Sequence, residues 1–299
     1  MTMFEIGLKD ITVSSDFYLH EVESVLRKYG AAVLPRWLNT ESIKKLFEDW
    51  YAIREYRNKD ELECVQRAGG NVADYAALYR NKSGQEQFKS VNQIFSHPKI
   101  IQIVDRVIGK PNLLNEEIYL TLDIGKDEEI APSHFDKTWN LKFMIYLEDI
   151  LESGYGAFAV HPGSQLIARK KFRSWFEINS VNGFVEIGTA SYYEMPNEYI
   201  PEDLTNCVEI LAPAGTLIIF NTDVFHRGSY LKKGAERKVI RGHACPGYKA
   251  PGMGDKIRKN SRQWVRGEHW ELYGKVYSRF SKDGFLEWRE YNKMIKEMA

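Results

Sequence analysis

Cysteine is scarce. Cys64, Cys207 and Cys245 are three in 299 residues, far apart and with no C-x-x-C pair. That excludes a disulfide scaffold and a zinc ribbon, and an odd number of separated thiols reads as a reduced, cytoplasmic chain. Net charge is also missing. Lys and Arg number 41 against 41 Asp and Glu, so the basic footprint of a nucleic-acid binder is absent. Apolar runs stop at four or five residues, as at Leu217-Ile218-Ile219-Phe220, where a membrane helix needs about 20. Residues 1–10 carry Glu5, Lys9 and Asp10 with no apolar stretch, so no signal peptide is expected.

What is present is an ordinary globular composition, 43% hydrophobic and 27% charged, in a chain long enough to bury about three quarters of its unfolded surface. Leu19, Val22, Val25 and Leu26 fall at helical spacing before Gly30, and Ala31–Leu34 reads as a buried strand. Asn39-Thr40 caps a second helix with Ile43, Leu46, Trp50 and Ile53 on one side. Residues 58–86 are polar with Gly69-Gly70 and read as a long loop; 90–95 and 98–108 read as short helices.

From Leu113 the pattern changes to short strands, at 117–122, 140–147, 157–160, 208–211, 216–220 and 238–244, separated by Gly and Pro turns. Strands without alternating helices favour a sandwich or barrel. Residues 166–205 interrupt the series as an insertion, and 256–299 return to helix with many aromatics. The expected organisation is one domain over 1–299: a helical part at 1–112, a β core at 113–250, and a helical extension at 251–299.

The chemistry centres on His134-Phe135-Asp136. In a strand, residues i and i+2 share a face, so an imidazole and a carboxylate can occupy neighbouring metal positions. A second His would complete a two-His-one-carboxylate triad, which leaves three positions open on Fe(II) for a cosubstrate and O₂. His226 follows the core strand at 216–220 and is the preferred partner. His161 lies in a turn, His243 reads as a core histidine, and His269 sits in a helical aromatic stretch. Arg237, on the next strand, offers a planar fork able to grip the far carboxylate of a dicarboxylate such as 2-oxoglutarate. An isolated His-x-Asp is as readily a hydrogen-bonded structural pair, and a lone strand Arg is usually a surface residue.

Together these motifs carry a resemblance. His134-Phe135-Asp136, Tyr146-Leu147-Glu148-Asp149, Ser153-Gly154-Tyr155-Gly156-Ala157-Phe158, Pro162-Gly163-Ser164, Pro213-Ala214-Gly215 with the strand after it, His226 and Arg237 resemble the phytanoyl-CoA dioxygenase-like branch of the Fe(II)/2-oxoglutarate dioxygenases. The resemblance spans about residues 15–250. It implies a mainly β fold with flanking helices around a double-stranded β-helix (jelly-roll, cupin-like) core. It implies Fe(II) held by His134, Asp136 and His226, 2-oxoglutarate anchored by Arg237, and O₂ as co-reactant. The implied reaction couples conversion of 2-oxoglutarate to succinate and CO₂ with oxidation of an unactivated C–H. Because Asp136 is present, hydroxylation is favoured, with desaturation or ring formation open.

Two departures stand out. The proline-glycine-serine turn, often followed by His in the family, continues to Gln165, and the position two after His226, often a small hydroxyl residue, is Gly228. By strand parity Asn140 and Lys142 face the cavity. Asn140 is the expected second cosubstrate contact, an ordinary strand or turn Asn being the other reading. Trp139 reads as a pocket wall or a packed aromatic. The insertion at 166–205 reads as a lid whose Arg169, Lys170, Lys171 and Arg173 suit an anionic group on a small-molecule substrate, or else form a solvated helix face. Trp264, Tyr273 and Trp288 read as core, and oligomeric state is left open. The competing readings are a non-catalytic relative and a metal enzyme that works without 2-oxoglutarate.

Overall fold

A computed structural model describes residues 6–58 (15 and 17 apart), 72–79, 87–109, 112–114, 117–136, 141–165, 192–194 and 206–246, in several places, including Phe135 and Asp136, the backbone alone. The helices are α1 (Leu8–Ile11), α2 (Leu19–Tyr29), α3 (Thr40–Asn58), α4 (Lys89–Gln93) and α5 (Pro98–Val107). The strands are β1 (Ala31–Leu34), β2 (Val72–Tyr79), β3 (Asn112–Leu114), β4 (Glu117–Ile124), β5 (Glu128–Asp136), β6 (Leu141–Tyr146), β7 (Phe158–Val160), β8 (Tyr192–Glu194), β9 (Val208–Glu209), β10 (Leu217–Asn221), β11 (His226–Leu231) and β12 (Glu236–Pro246). They form two antiparallel sheets. The larger runs β1-β10-β6-β12-β4-β2 with β3 beside β12, and the smaller runs β8-β5-β11-β7-β9.

β6 and β10, inside the large sheet, are buried on both faces, which explains why they are apolar rather than cleanly alternating. On β6, Leu141, Phe143 and Ile145 pack with the helices, against Leu26, Trp50, Phe95 and Ile103. Met144 and Tyr146 turn the other way and pack with Phe158 and Val160 of the small sheet. β10 divides likewise, Leu217 and Ile219 toward the helices and Ile218 and Phe220 toward the small sheet. The two sheets thus enclose a barrel-like interior, and the mainly β, double-stranded β-helix expectation holds.

Local punctuation follows the sequence. Gly30 ends α2 at φ 77°, a left-handed conformation only glycine adopts cheaply, with its N–H bonded to Leu26 O at 2.9 Å. Pro98 opens α5 behind His97, whose Nδ1 accepts from the Lys99 N–H at 3.2 Å. One expectation fails: Val72–Tyr79, inside the stretch read as a loop, is an eight-residue strand paired with β4. The segments expected to be helical after 250, and Trp139, Asn140 and the basic run Arg169–Arg173, lie outside the described residues.

Candidate metal and cosubstrate site

β5 and β11 are neighbours in the small sheet, and their register sets His134 directly opposite His226. The two rings stand 4.3 Å apart, centroid to centroid, and both residues are buried. Phe220 and Phe158 wall His226 at ring distances of 5.0 and 5.7 Å. The expected second histidine is therefore brought to the first. Asp136 is the last residue of β5, two on from His134, and its Cα pairs with Tyr192 of β8; its side chain lies outside the described atoms.

Each histidine is oriented in the same way. His134 Nδ1 meets the Pro132 carbonyl at 2.6 Å, and His226 Nδ1 meets the Val224 carbonyl at 2.8 Å. A carbonyl only accepts, so each Nδ1 carries a proton, and in the neutral ring this puts the lone pair on Nε2, the tautomer a metal needs. Pro132 belongs to a bulge. Pro132 and Ser133 of β5 together oppose Arg227 of β11, and the register slips between His226 and Gly228. A proline fits there because a bulged position leaves the ladder one donor short.

The loops beneath His226 are braced. Phe225 N–H donates to Ser164 Oγ at 2.8 Å, and His161 N–H donates to the Phe225 carbonyl at 2.8 Å. The end of α2 holds the same loops: Gly163 N–H to Tyr29 O at 2.9 Å, Asn221 N–H to Gly30 O at 2.9 Å, and Gln165 Nε2 to Arg27 O at 3.2 Å. Gln165, one of the two departures, is thus a structural tie to α2. Gly228, the other, has no room for a side chain: a Cβ there would stand 2.7 Å from Ile130 Cβ. His161 sits 3.3 Å from Ser133 Oγ and His243 stacks on Tyr119 at 5.6 Å. Neither stands in the His134–His226 pair.

Arg237 lies on β12, buried, on the face that Val239 presents to the small sheet. Its Nε and Nη2 reach the same atom, Asp123 Oδ2, at 2.8 and 2.7 Å, and its Nη1 donates to the Gly156 carbonyl at 2.8 Å. Next to it, Lys238 Nζ holds Glu148 and Glu236, each at 2.9 Å. Burial opposes that ammonium charge, but the hydrogen bonds it donates to Glu236 and Glu148 prevail and raise its pKa. A cavity of about 290 Å³ opens beside Arg237 and Lys238, against Glu148 and Tyr155. It lies at the start of β12.

The sequence reading missed the polar side of β4. Tyr119, Thr121 and Asp123 pair with Arg241, Val239 and Arg237 and face the interior, while Ile118, Leu120 and Leu122 join the helical core. Thr121 Oγ1 accepts from Arg241 Nη2 at 2.7 Å. The alternation itself is visible in the sequence, but the burial of its polar half, Thr121 and Asp123 being 2% and 0% exposed, is not. Among the described side chains no group of three or more His, Cys, Asp or Glu gathers as a metal site. Two metal-competent donors meet, and the chemistry of the set fits a divalent ion of the iron type, two neutral imidazoles with a carboxylate next along β5. No helix among the described residues is long and apolar enough to cross a membrane.

No protein-family model matches the chain, and no curated protein matches it. Solved structures do. The epimerase SnoN, in complex with Fe3+, alpha ketoglutarate and nogalamycin RO, superposes with TM-score 0.53 at 16% identity, covering 76% of this chain and 82% of that one. The non-heme alpha ketoglutarate dependent carbocyclase SnoK of nogalamycin biosynthesis gives TM-score 0.53 at 16% identity, covering 86% and 97%. The chain therefore has the jelly-roll fold of these iron- and ketoglutarate-dependent enzymes.

Proposed function

We propose that this chain is an Fe(II)- and 2-oxoglutarate-dependent oxygenase that oxidises, by hydroxylation in the simplest case, an unactivated C–H of a small molecule. The observation that carries the reading is the cross-strand pair His134–His226, buried, with both Nδ1 atoms bonded to backbone carbonyls. Iron bound there with 2-oxoglutarate and O₂ would supply the oxidation, with succinate and CO₂ as co-products. His134 and His226 would ligate through Nε2, and Asp136 would complete the set. Phe158 and Phe220 would keep water from the second histidine.

Arg237 would anchor the cosubstrate. Asp123 and Gly156 engage three of its five N–H donors, and one N–H on each terminal nitrogen meets no other acceptor among the described residues. Two parallel donors are what a carboxylate takes from a guanidinium. Asn140 remains the proposed second contact, and the basic run Arg169–Arg173 favours a substrate with an anionic group. That similar folds serve an epimerase and a carbocyclase makes ring closure and epimerisation alternatives to hydroxylation.

The test is anaerobic titration of the protein with Fe(II) and then 2-oxoglutarate. A weak visible charge-transfer band is expected, and His134→Ala or His226→Ala should abolish it along with succinate release. Either variant keeping the band would overturn the assignment. A second reading has one observation behind it: Asp123 already neutralises Arg237, as in a structural ion pair. That reading is a metal-binding jelly roll independent of 2-oxoglutarate, and iron binding with no response to 2-oxoglutarate would select it.

A further inference from the structure

We propose that Asp123 is a positioning residue that holds the Arg237 guanidinium by one edge so that its terminal N–H groups face the cosubstrate. This rests on the reading of Arg237 as the 2-oxoglutarate anchor. Asp123 and Arg237 are direct cross-strand partners on β4 and β12, close enough for a short carboxylate to meet the stem end of the arginine head. One oxygen, Oδ2, takes both Nε and Nη2, while Oδ1 is buried and without a hydrogen-bond partner among the described residues. A pair evolved only to neutralise charge would gain by setting both oxygens against both nitrogens. Here the second oxygen is left over, and the arrangement fixes the tilt of the guanidinium plane. The Gly156 carbonyl fixes the same plane from the small sheet.

The neighbourhood makes such a hold necessary. Arginine has a long, rotamer-rich stem, and the cavity beside Arg237 is lined by Glu148 and Glu236. Lys238 occupies both of those carboxylates, and Asp123 occupies Arg237. The pleat sets these two adjacent cations on opposite faces of β12, each with its own acidic partners. Without Asp123, Arg237 would be drawn toward the same acidic pair and its terminal N–H groups would leave the interior.

The experiment is anaerobic titration of the Fe(II)-loaded chain with 2-oxoglutarate and, separately, with 2-oxopentanoate, which has the same chain length but no far carboxylate. Asp123→Ala should weaken 2-oxoglutarate binding on the order of tenfold, the scale of one charge-assisted contact, and leave 2-oxopentanoate unchanged. Asp123→Asn keeps an acceptor for Nε and should lose less; it also carries the test if the Ala variant does not fold. Unchanged binding of 2-oxoglutarate, or equal weakening of both acids, would overturn the proposal in favour of a purely structural role. Arg237→Gln separates the two claims. If it leaves 2-oxoglutarate affinity intact, the anchor itself is elsewhere and Asp123 positions nothing for it. If it weakens that affinity while Asp123→Ala does not, the anchor stands and the positioning role falls.

Discussion

His134 and His226 stand 92 residues apart in the chain and face each other across one ladder rung. Their types and spacing made them legible, because a histidine two before an aspartate and another just after a core strand are what a facial metal triad requires. Asp123 was not legible, since nothing local distinguishes a functional aspartate from a solvated one; only its partner 114 positions away does. Gly228 falls between. Its departure from the family pattern was visible, but the cause, contact with Ile130, needed coordinates. Gly228→Ala should therefore destabilise the fold by about 1–3 kcal/mol, the usual cost of overpacking. Chemical denaturation measures this, and an unchanged midpoint would show that Ile130 yields.

At the scale of elements, most boundaries followed from caps and turns, whereas β2 did not. Val72–Tyr79 has little polar–apolar alternation and, among the described residues, sits at the end of the large sheet, paired only with β4. Its strand character comes from that long-range partner, and the Gly69-Gly70 turn signal nearby outweighs it in a local reading. α5 shows the opposite, an element whose start is written in His97-Pro98. The cap makes it sensitive to pH. His97 accepts a backbone N–H and can do so only when neutral, and burial, then Lys99, lowers its pKa; Lys45 lines the same groove. A folded pKa below the unfolded one means the unfolded chain binds more protons. The contribution is thus complete above about pH 6.5 and is lost as pH falls through the folded value. The melting temperature of the wild type should drop more steeply from about pH 7.5 to about pH 5 than that of His97→Asn, which caps without titrating there. Parallel slopes would count against the cap.

At the scale of the molecule, the class of fold was legible because strands recur with Gly and Pro turns and no helices between them. How the sheets are fastened was not. Tyr146 of the large sheet donates from its hydroxyl to Ile210 O at 3.1 Å and accepts from Phe158 N–H at 2.8 Å. Burial pushes its phenol pKa far up, so it stays a neutral donor and acceptor. Tyr146→Phe keeps the packing but orphans two buried backbone groups. It should cost about 1–3 kcal/mol, seen as a lower urea midpoint at unchanged slope; an unmoved midpoint would mean that the backbone groups find other partners.

The seam between α2 and the loops carrying Ser164 and Asn221 has a further consequence. The loop after Asn221 ends at Phe225, which donates to Ser164, and the next residue is the second histidine, so the end of α2 works as a buttress for it. A shortened chain starting beyond Gly30 would still encode each ligand of the proposed centre, yet the loops beside His226 would lose the ties that Arg27, Tyr29 and Gly30 give them.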